Sequence, residues 1–151
     1  MYRFETSQHL VAPRETLVEF FSDVRQLDSS TPSFFRIELE DGSVGTALYV
    51  GQTFRYVFRI FGVPVPWTTE ITEVAPVRFV DIQRRGPYRS FAHTHLFLET
   101  AEGTMMIDRV LYSLPFGPLN GLANMLVVRP LLEAIFAFRA RAAAQRFGEI
   151  I

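Results

Sequence analysis

Polar and apolar residues alternate from Tyr2 to Val11, with Tyr2, Phe4, Thr6, Gln8 and Leu10 on one side, and a period of two predicts a first β-strand. Ala12-Pro13 ends it. Proline suits the first turn of a helix because its missing N–H would find no partner there. Leu17, Phe20, Phe21 and Val24 then supply an apolar stripe, and the spacing predicts a short helix over 14–22. Asp23 is placed to cap a second short turn over 27–30, closed by Thr31-Pro32, because the residue before proline disfavours helix.

Six further strand-like stretches follow, at 34–40, 47–61, 67–74, 77–84, 89–100 and 104–114. The connectors Asp41-Gly42, Gly62-Val63-Pro64, Ala75-Pro76, Gly86-Pro87 and Glu102-Gly103 carry turn chemistry, so consecutive strands are expected to pair as antiparallel hairpins. From Pro118 onward the period changes. Leu122, Met125, Leu126, Leu132, Ile135, Phe136, Arg139 and Ala143 recur at steps of three and four up to Phe147, which predicts one long helix, kinked or restarted at Pro130. The order is β-α-α-β6-α, an α+β class, and no linker divides it, so residues 1–151 are read as a single domain.

Composition sharpens this. Hydrophobic residues make up 48% and charged residues 21%, with fifteen Phe, the balance of a folded chain rather than a disordered one. Fifteen basic against sixteen acidic residues leave a net charge of −1, without the basic excess that phosphate-backbone binding requires, so nucleic acid is not an expected partner. All basic residues are Arg, and there is no Cys, which excludes disulfides, thiolate metal sites and cysteine nucleophiles. The N-terminus lacks a basic segment followed by an apolar run, so a cytoplasmic location is expected. The apolar region Leu119 to Phe138 is interrupted by Arg129, Pro130 and Glu133; it reads as a buried helix, with no membrane insertion.

A strand, two short helices, six antiparallel strands and a long C-terminal helix make up the helix-grip fold, a curved sheet around that helix. The run Ala12-Pro13-Arg14-Glu15-Thr16-Leu17-Val18-Glu19-Phe20-Phe21-Ser22-Asp23 resembles the opening segment of the START-like, SRPBCC superfamily, which includes polyketide cyclases and coenzyme Q-binding proteins. Leu27 to Pro32, Gly62-Val63-Pro64 with Trp67, Phe79 to Gln83, Gly86-Pro87-Tyr88, His93 to Phe97 and Asp108 to Tyr112 look like a bacterial ligand-binding branch of it. The resemblance covers essentially the whole chain. It implies a cavity between sheet and helix that holds apolar ligands, and it implies no particular reaction.

Alternate residues of a strand face opposite sides of the sheet, so the register decides which side chains meet on the concave face. The aromatic sides are expected to point inward: Tyr56 and Phe58; Trp67 with Thr69 and Ile71; Phe79, Asp81 and Gln83; Phe91, His93, His95 and Phe97; Asp108 and Tyr112. Arg55, Arg59 and Arg84 then face solvent. From the helix, Leu132, Phe136 and Arg139 share one face, with Arg139 a candidate bridge from helix to sheet. These residues are the expected cavity.

Its polar members need partners, and the plainest reading is that they satisfy one another, Asp108 accepting from a histidine and Asp81 from a tyrosine or the helix arginine. An open zinc site from His93 and His95 with Asp81 or Asp108 is a spacing match only, and no metal or other cofactor is expected. Ser90 and Ser113 fall on the opposite face from the histidines, which excludes a Ser-His-Asp triad. No glycine-rich nucleotide signature is present. The leading expectation is a binding module for a small hydrophobic or amphipathic molecule: a lipid, polyketide or isoprenoid-like compound. The alternatives are a polyketide cyclase or dehydratase-type enzyme using His93 or His95 with Asp108 as an acid/base pair, and a protein-interaction domain with a vestigial cavity.

Overall fold

The alternating stretches form seven strands in a computed structural model that describes residues 1–26, 28–41 and 47–151. They are β1 (Tyr2–Leu10), β2 (Phe35–Asp41), β3 (Thr53–Ile60), β4 (Val63–Ala75), β5 (Arg78–Arg85), β6 (Ser90–Glu99) and β7 (Thr104–Ser113). One sheet orders them β1-β7-β6-β5-β4-β3-β2, every pair antiparallel. The sheet curves around the C-terminal helix, which is the helix-grip architecture. Helix α1 (Arg14–Ser22) follows β1. The second short helix is reduced to two 3-10 turns, Val24–Gln26 and Asp28–Ser30. Asp23 caps the first, accepting from the Arg25 backbone N–H at 3.0 Å. Leu27, and Gly42 of the turn after β2, lie outside the described residues.

Two strand boundaries differ from expectation. The third strand starts at Thr53 rather than 47, because Gly51 takes a φ of +91° and its N–H turns to the Ile71 carbonyl at 2.8 Å. The β3–β4 turn is Phe61-Gly62, not Gly62-Val63-Pro64: both residues have positive φ, 49° and 82°, the two-residue primed turn that matches strand twist. Pro64 and Pro66 therefore lie inside β4. Val63 closes the hairpin against Ile60, and pairing with β5 begins only at Thr68. Alternation then aims the two prolines' missing N–H positions at the unpaired edge, where no ladder bond is lost.

The C-terminal helix is continuous along the chain but not in pitch. After a 3-10 turn at Gly117–Leu119 come α2 (Asn120–Ala123), one π-helical turn (Asn124–Val128) and α3 (Arg129–Phe147). Pro130 sits in the first turn of α3, so it restarts the regular helix, and the wider turn accommodates it. Helix α3 buries Leu132, Phe136 and Ala143 against the sheet. The segment before it is not buried as expected: Leu119, Leu122, Met125, Leu126 and Val127 are each more than half exposed. One extra residue in a turn shifts the phase by about 100°, which takes the upstream apolar row off the face that α3 buries.

Packing divides into two dense clusters and a looser third. Leu10, Leu17, Phe21, Phe97 and Ala143 close one end of the sheet–helix space. Phe4, Val110, Tyr112, Leu132 and Phe136 close its β1–β7 side. Phe54, Tyr56 and Ile71 line the β3–β4 side, with half-buried Phe58 and Trp67, and there the space stays open.

Candidate functional site

That open space is a cavity of about 310 Å³ between the concave face and the helix. Period-two alternation supplies its walls: Phe54, Tyr56 and Phe58 from β3, Trp67, Thr69 and Ile71 from β4, and Phe91 from β6, with Leu132, Ile135 and Phe136 from α3. The rings lock one another by edge contacts, Phe58 to Trp67 and Trp67 to Phe91, each with centroids 5.0 Å apart. Such pairs hold the walls apart with little rotamer freedom.

A polar group sits where the neighbouring strands β5, β6 and β7 face α3. His95 donates its Nε2 proton to Asp81 Oδ2 at 2.8 Å, and His93 Nε2 lies 2.8 Å from Asp108 Oδ1. Both histidines and Asp108 are buried. Asp81 also meets the Thr69 hydroxyl at 3.4 Å. Burial, together with the neighbouring His93, lowers His95 to about 4, although its carboxylate partners pull the other way, so it is neutral near pH 7. Burial works to raise both carboxyls; for Asp108 the Arg139 charge and the His93 hydrogen bond outweigh it, and for Asp81 the His95 hydrogen bond does, so both stay ionised. Burial first, and the Asp81 charge second, hold the Tyr56 phenol well above its usual range, which leaves it a proton donor.

Arg139 completes the group without touching it. Its guanidinium lies over the rings of Phe21 and Phe136, 5.0 and 5.8 Å from their centroids, and makes no ion pair within 4 Å among the described residues. Its Nε is buried with no hydrogen-bond partner among the described residues. The expected helix-to-sheet bridge is thus a field acting on Asp108 and Asp81, not a contact, and an unused donor remains beside the cavity.

Of the residues the register places inside, Tyr56, Phe58, Trp67, Phe79, Asp81, Phe91, His93, His95, Leu132, Phe136 and Arg139 line the cavity. Four do not. Gln83 folds back to hold the next loop, donating to the Tyr88 carbonyl at 2.8 Å and accepting from its N–H at 3.1 Å; a Cβ on Gly86 would collide with that amide. Phe97 is fully buried among Phe21 and Phe79. Asp108 stands behind the histidines, and Tyr112 gives its hydroxyl to Asn124. Alternation fixes a side chain's face but not its depth, and these four lie beneath the lining. Thr69 and Ile71 line it as the register expects, and Phe54 and Phe21 line it without having been singled out; Phe54 shares the Tyr56 face, a signal the spacing already carried.

Asp81, His93 and His95 offer ligand atoms within 4.8 Å of one another. A metal needs ring lone pairs that converge on one point at about 2 Å. The two imidazoles are instead stacked, centroids 3.7 Å apart and planes 29° apart, and both Nε2 atoms are turned to different carboxylates, Asp108 and Asp81, rather than to one shared point. As placed, the cluster is closed by protons and does not fit an ion. Ser90 and Ser113 bond to each other at 2.6 Å on the other face, and His9 bonds Thr100 at 2.6 Å, away from the cavity.

No curated protein matches the sequence. Solved structures do. Protein CV1439 from Chromobacterium violaceum aligns with a TM-score of 0.75 at 14% identity, covering 99% of this chain and 100% of that one. The Zhui aromatase/cyclase from Streptomyces sp. R1128 aligns at 0.73 and 13% identity, over 96% and 92%. The di-domain ARO/CYC StfQ from the steffimycin biosynthetic pathway aligns at 0.72 and 15% identity, over 97% of this chain and 50% of that one. At these identities the likeness is one of fold. The family model described as polyketide cyclase / dehydrase and lipid transport matches residues 1–148, and the chain belongs to that family.

Proposed function

We propose that the protein binds a small amphipathic molecule, a lipid, polyketide or isoprenoid-like compound, with its apolar body among the aromatic walls and its polar end at Arg139, Asp81 and His95. The observation that carries this is the group of Arg139, Asp81 and His95 on the wall of a cavity lined mostly by aromatic and aliphatic side chains, where Arg139 keeps a buried N–H unused among the described residues. A ligand carbonyl, hydroxyl or carboxylate oxygen there would satisfy that donor. The open cavity of about 310 Å³ runs against a vestigial one. The acid/base alternative is less supported: Asp108 stands behind the lining, and His95, lowered to about 4, is poorly matched to proton abstraction at neutral pH.

Native mass spectrometry of the purified protein, followed by solvent extraction, tests the reading. A retained apolar compound, together with displacement of an environment-sensitive dye and a change in Trp67 fluorescence, supports it. An empty protein that binds no dye, with Trp67 unmoved across a broad apolar library, overturns it.

A further inference from the structure

Antiparallel pairing gathers the starts of β2, β4 and β6 and the ends of β3, β5 and β7 at one end of the sheet. The cavity reaches that end, where Ile60, Val65, Pro87, Phe116 and Val128 line it. No acidic residue occurs in 42–69, 82–98 or 109–132, the stretches that supply the β3–β4 turn, the β5–β6 loop and the first part of the C-terminal helix; Asp23 and Asp28 precede β2, and Glu133 is paired with Arg129 at 3.2 Å. Arginines do occur there. Arg85 and Arg89 flank the β5–β6 loop, exposed and without an ion pair among the described residues. The acids Glu73, Glu99, Glu102 and Glu149 lie toward the opposite end.

The same end carries the exposed apolar side chains. Leu119, Leu122, Met125 and Leu126 project from the segment Gly117–Val128, which has no charged residue, and Phe116 lies beside them. Across the mouth, the hairpin tip presents Phe61 at 75% exposure and in the left-handed region, φ 49°. A bulky residue there is strained where Asn or Gly would be relaxed. Folding gains little from that choice.

From this arrangement we infer that the mouth end docks on the surface of an anionic lipid bilayer, with Phe61 and the Leu119–Val127 row in the headgroup boundary and Arg85 and Arg89 on the lipid phosphates. An anionic bilayer takes a broad apolar face rimmed by unpaired cations, and no acid interrupts this one in the β3–β4 turn, the β5–β6 loop or the Gly117–Val128 segment. Gly117–Phe147 is long and apolar enough to cross a membrane by length and composition. Helix α3 packs Leu132, Phe136 and Ala143 against the sheet, so the segment lies on the membrane instead of spanning it. Docking opens the cavity toward the lipid phase, from which an apolar ligand would enter; that last step rests on the binding reading above.

Co-sedimentation with phosphatidylcholine vesicles, with and without phosphatidylglycerol, tests docking on the intact protein. It should sediment with the mixed vesicles, less so as salt is added, and weakly with pure phosphatidylcholine. Leu126→Asp, at an exposed position, should lower partitioning at least about tenfold, and Arg89→Glu by about fivefold or more. Phe61→Asn should weaken partitioning while raising thermal stability, which separates docking from misfolding. Indifference to both vesicle types overturns the inference, and so does a dimer in sedimentation velocity that Leu126→Asp dissociates, since a second copy would then cover this face. Dye displacement in vesicle-free solution reads the cavity separately: dye binding without vesicle binding sinks only the docking, and vesicle binding without dye binding sinks only the cavity reading.

Discussion

The imidazoles of His93 and His95 lie face to face, 3.7 Å between centroids, yet their Nε2 atoms serve different carboxylates, Asp108 behind the cavity wall and Asp81 at its surface. Residues two apart on β6 share a face, and β6 sits between β5 and β7. The Nε2 of each histidine therefore reaches the acid of a different neighbouring strand, and His95 Nδ1 also lies 3.4 Å from Asp108 Oδ1. Two acids and Arg139 make one coupled unit, in which a change at any member is felt at the others.

The pH dependence of stability follows from that unit. His95 drops from 6.5 to about 4 in the folded chain, so the unfolded chain binds the extra proton between those values. Stability should fall as pH drops through that window, by on the order of 3 kcal/mol. Asp81 and Asp108, both lowered from 3.8, add stability that is complete above that value and is lost in stronger acid. Urea midpoints measured across the window should move accordingly, and His95→Gln should flatten its upper part. A midpoint independent of pH down to about 4 would contradict this.

Asp108→Asn keeps the shape and removes the charge. Because Asp108 is 3% exposed and stands behind the lining, the substitution should cost about 1–3 kcal/mol of stability and change ligand affinity only modestly. A fully stable variant that has lost a measurable turnover would instead place Asp108 in a reaction. Arg139→Met removes the charge that acts on both buried carboxylates without contact, and should lower stability by on the order of 1 kcal/mol. The double variant should lose less than the two single losses combined, by up to about 1 kcal/mol. Strict additivity in chemical unfolding would mean that Arg139 acts on the cavity alone.

Legibility in the sequence tracked how local the governing physics is. Seven strands and α1 were readable because period-two and period-three-to-four patterns and turn residues act within a few positions. The concave-face set was readable for the same reason, and His93, His95 and Asp81 meet as alternation requires. Depth was not: whether Phe97 and Tyr112 line the cavity or lie under it depends on how far the curved sheet stands from the helix. The hairpin turn at Phe61 went unseen because phenylalanine is an unfavourable choice at positive φ. The exposed Leu119–Val127 row read as core because its spacing is that of a buried helix, and only the π-helical turn reveals its phase.

Phe61 allows a stability test independent of membranes. Phe61→Asn relieves left-handed strain but loses the ring contact with Phe34, whose centroid lies 5.1 Å away. A net gain of about 0.5–1 kcal/mol is expected, since relieving the backbone of a bulky residue exceeds one exposed ring contact. Thermal or urea unfolding reads it directly, and a loss of similar size would mean that the Phe34–Phe61 stack holds the tip.

Pro130 and the turn before it set the last expectation. In a regular helix the proline ring would strike the carbonyl four residues back, at Leu126, and one hydrogen bond would be missing. The π-helical turn Asn124–Val128 lies across that point, and the Arg129 N–H reaches back to the Asn124 carbonyl. No side chain within this turn is buried, whereas α3 buries three. Opening of the upstream segment therefore exposes little apolar surface, and amides of Leu122 to Val128 should exchange faster with solvent deuterium than those of Ile135 to Ala143. Val128 and Phe116 line the cavity, so a bound ligand should slow the upstream amides selectively. Pro130→Ala should slow them without ligand, because the four-back carbonyl becomes available again and the wider turn loses its cause. Equal protection in both halves, unchanged by ligand or by Pro130→Ala, would make the turn a fixed joint that only fits the helix to the curved sheet.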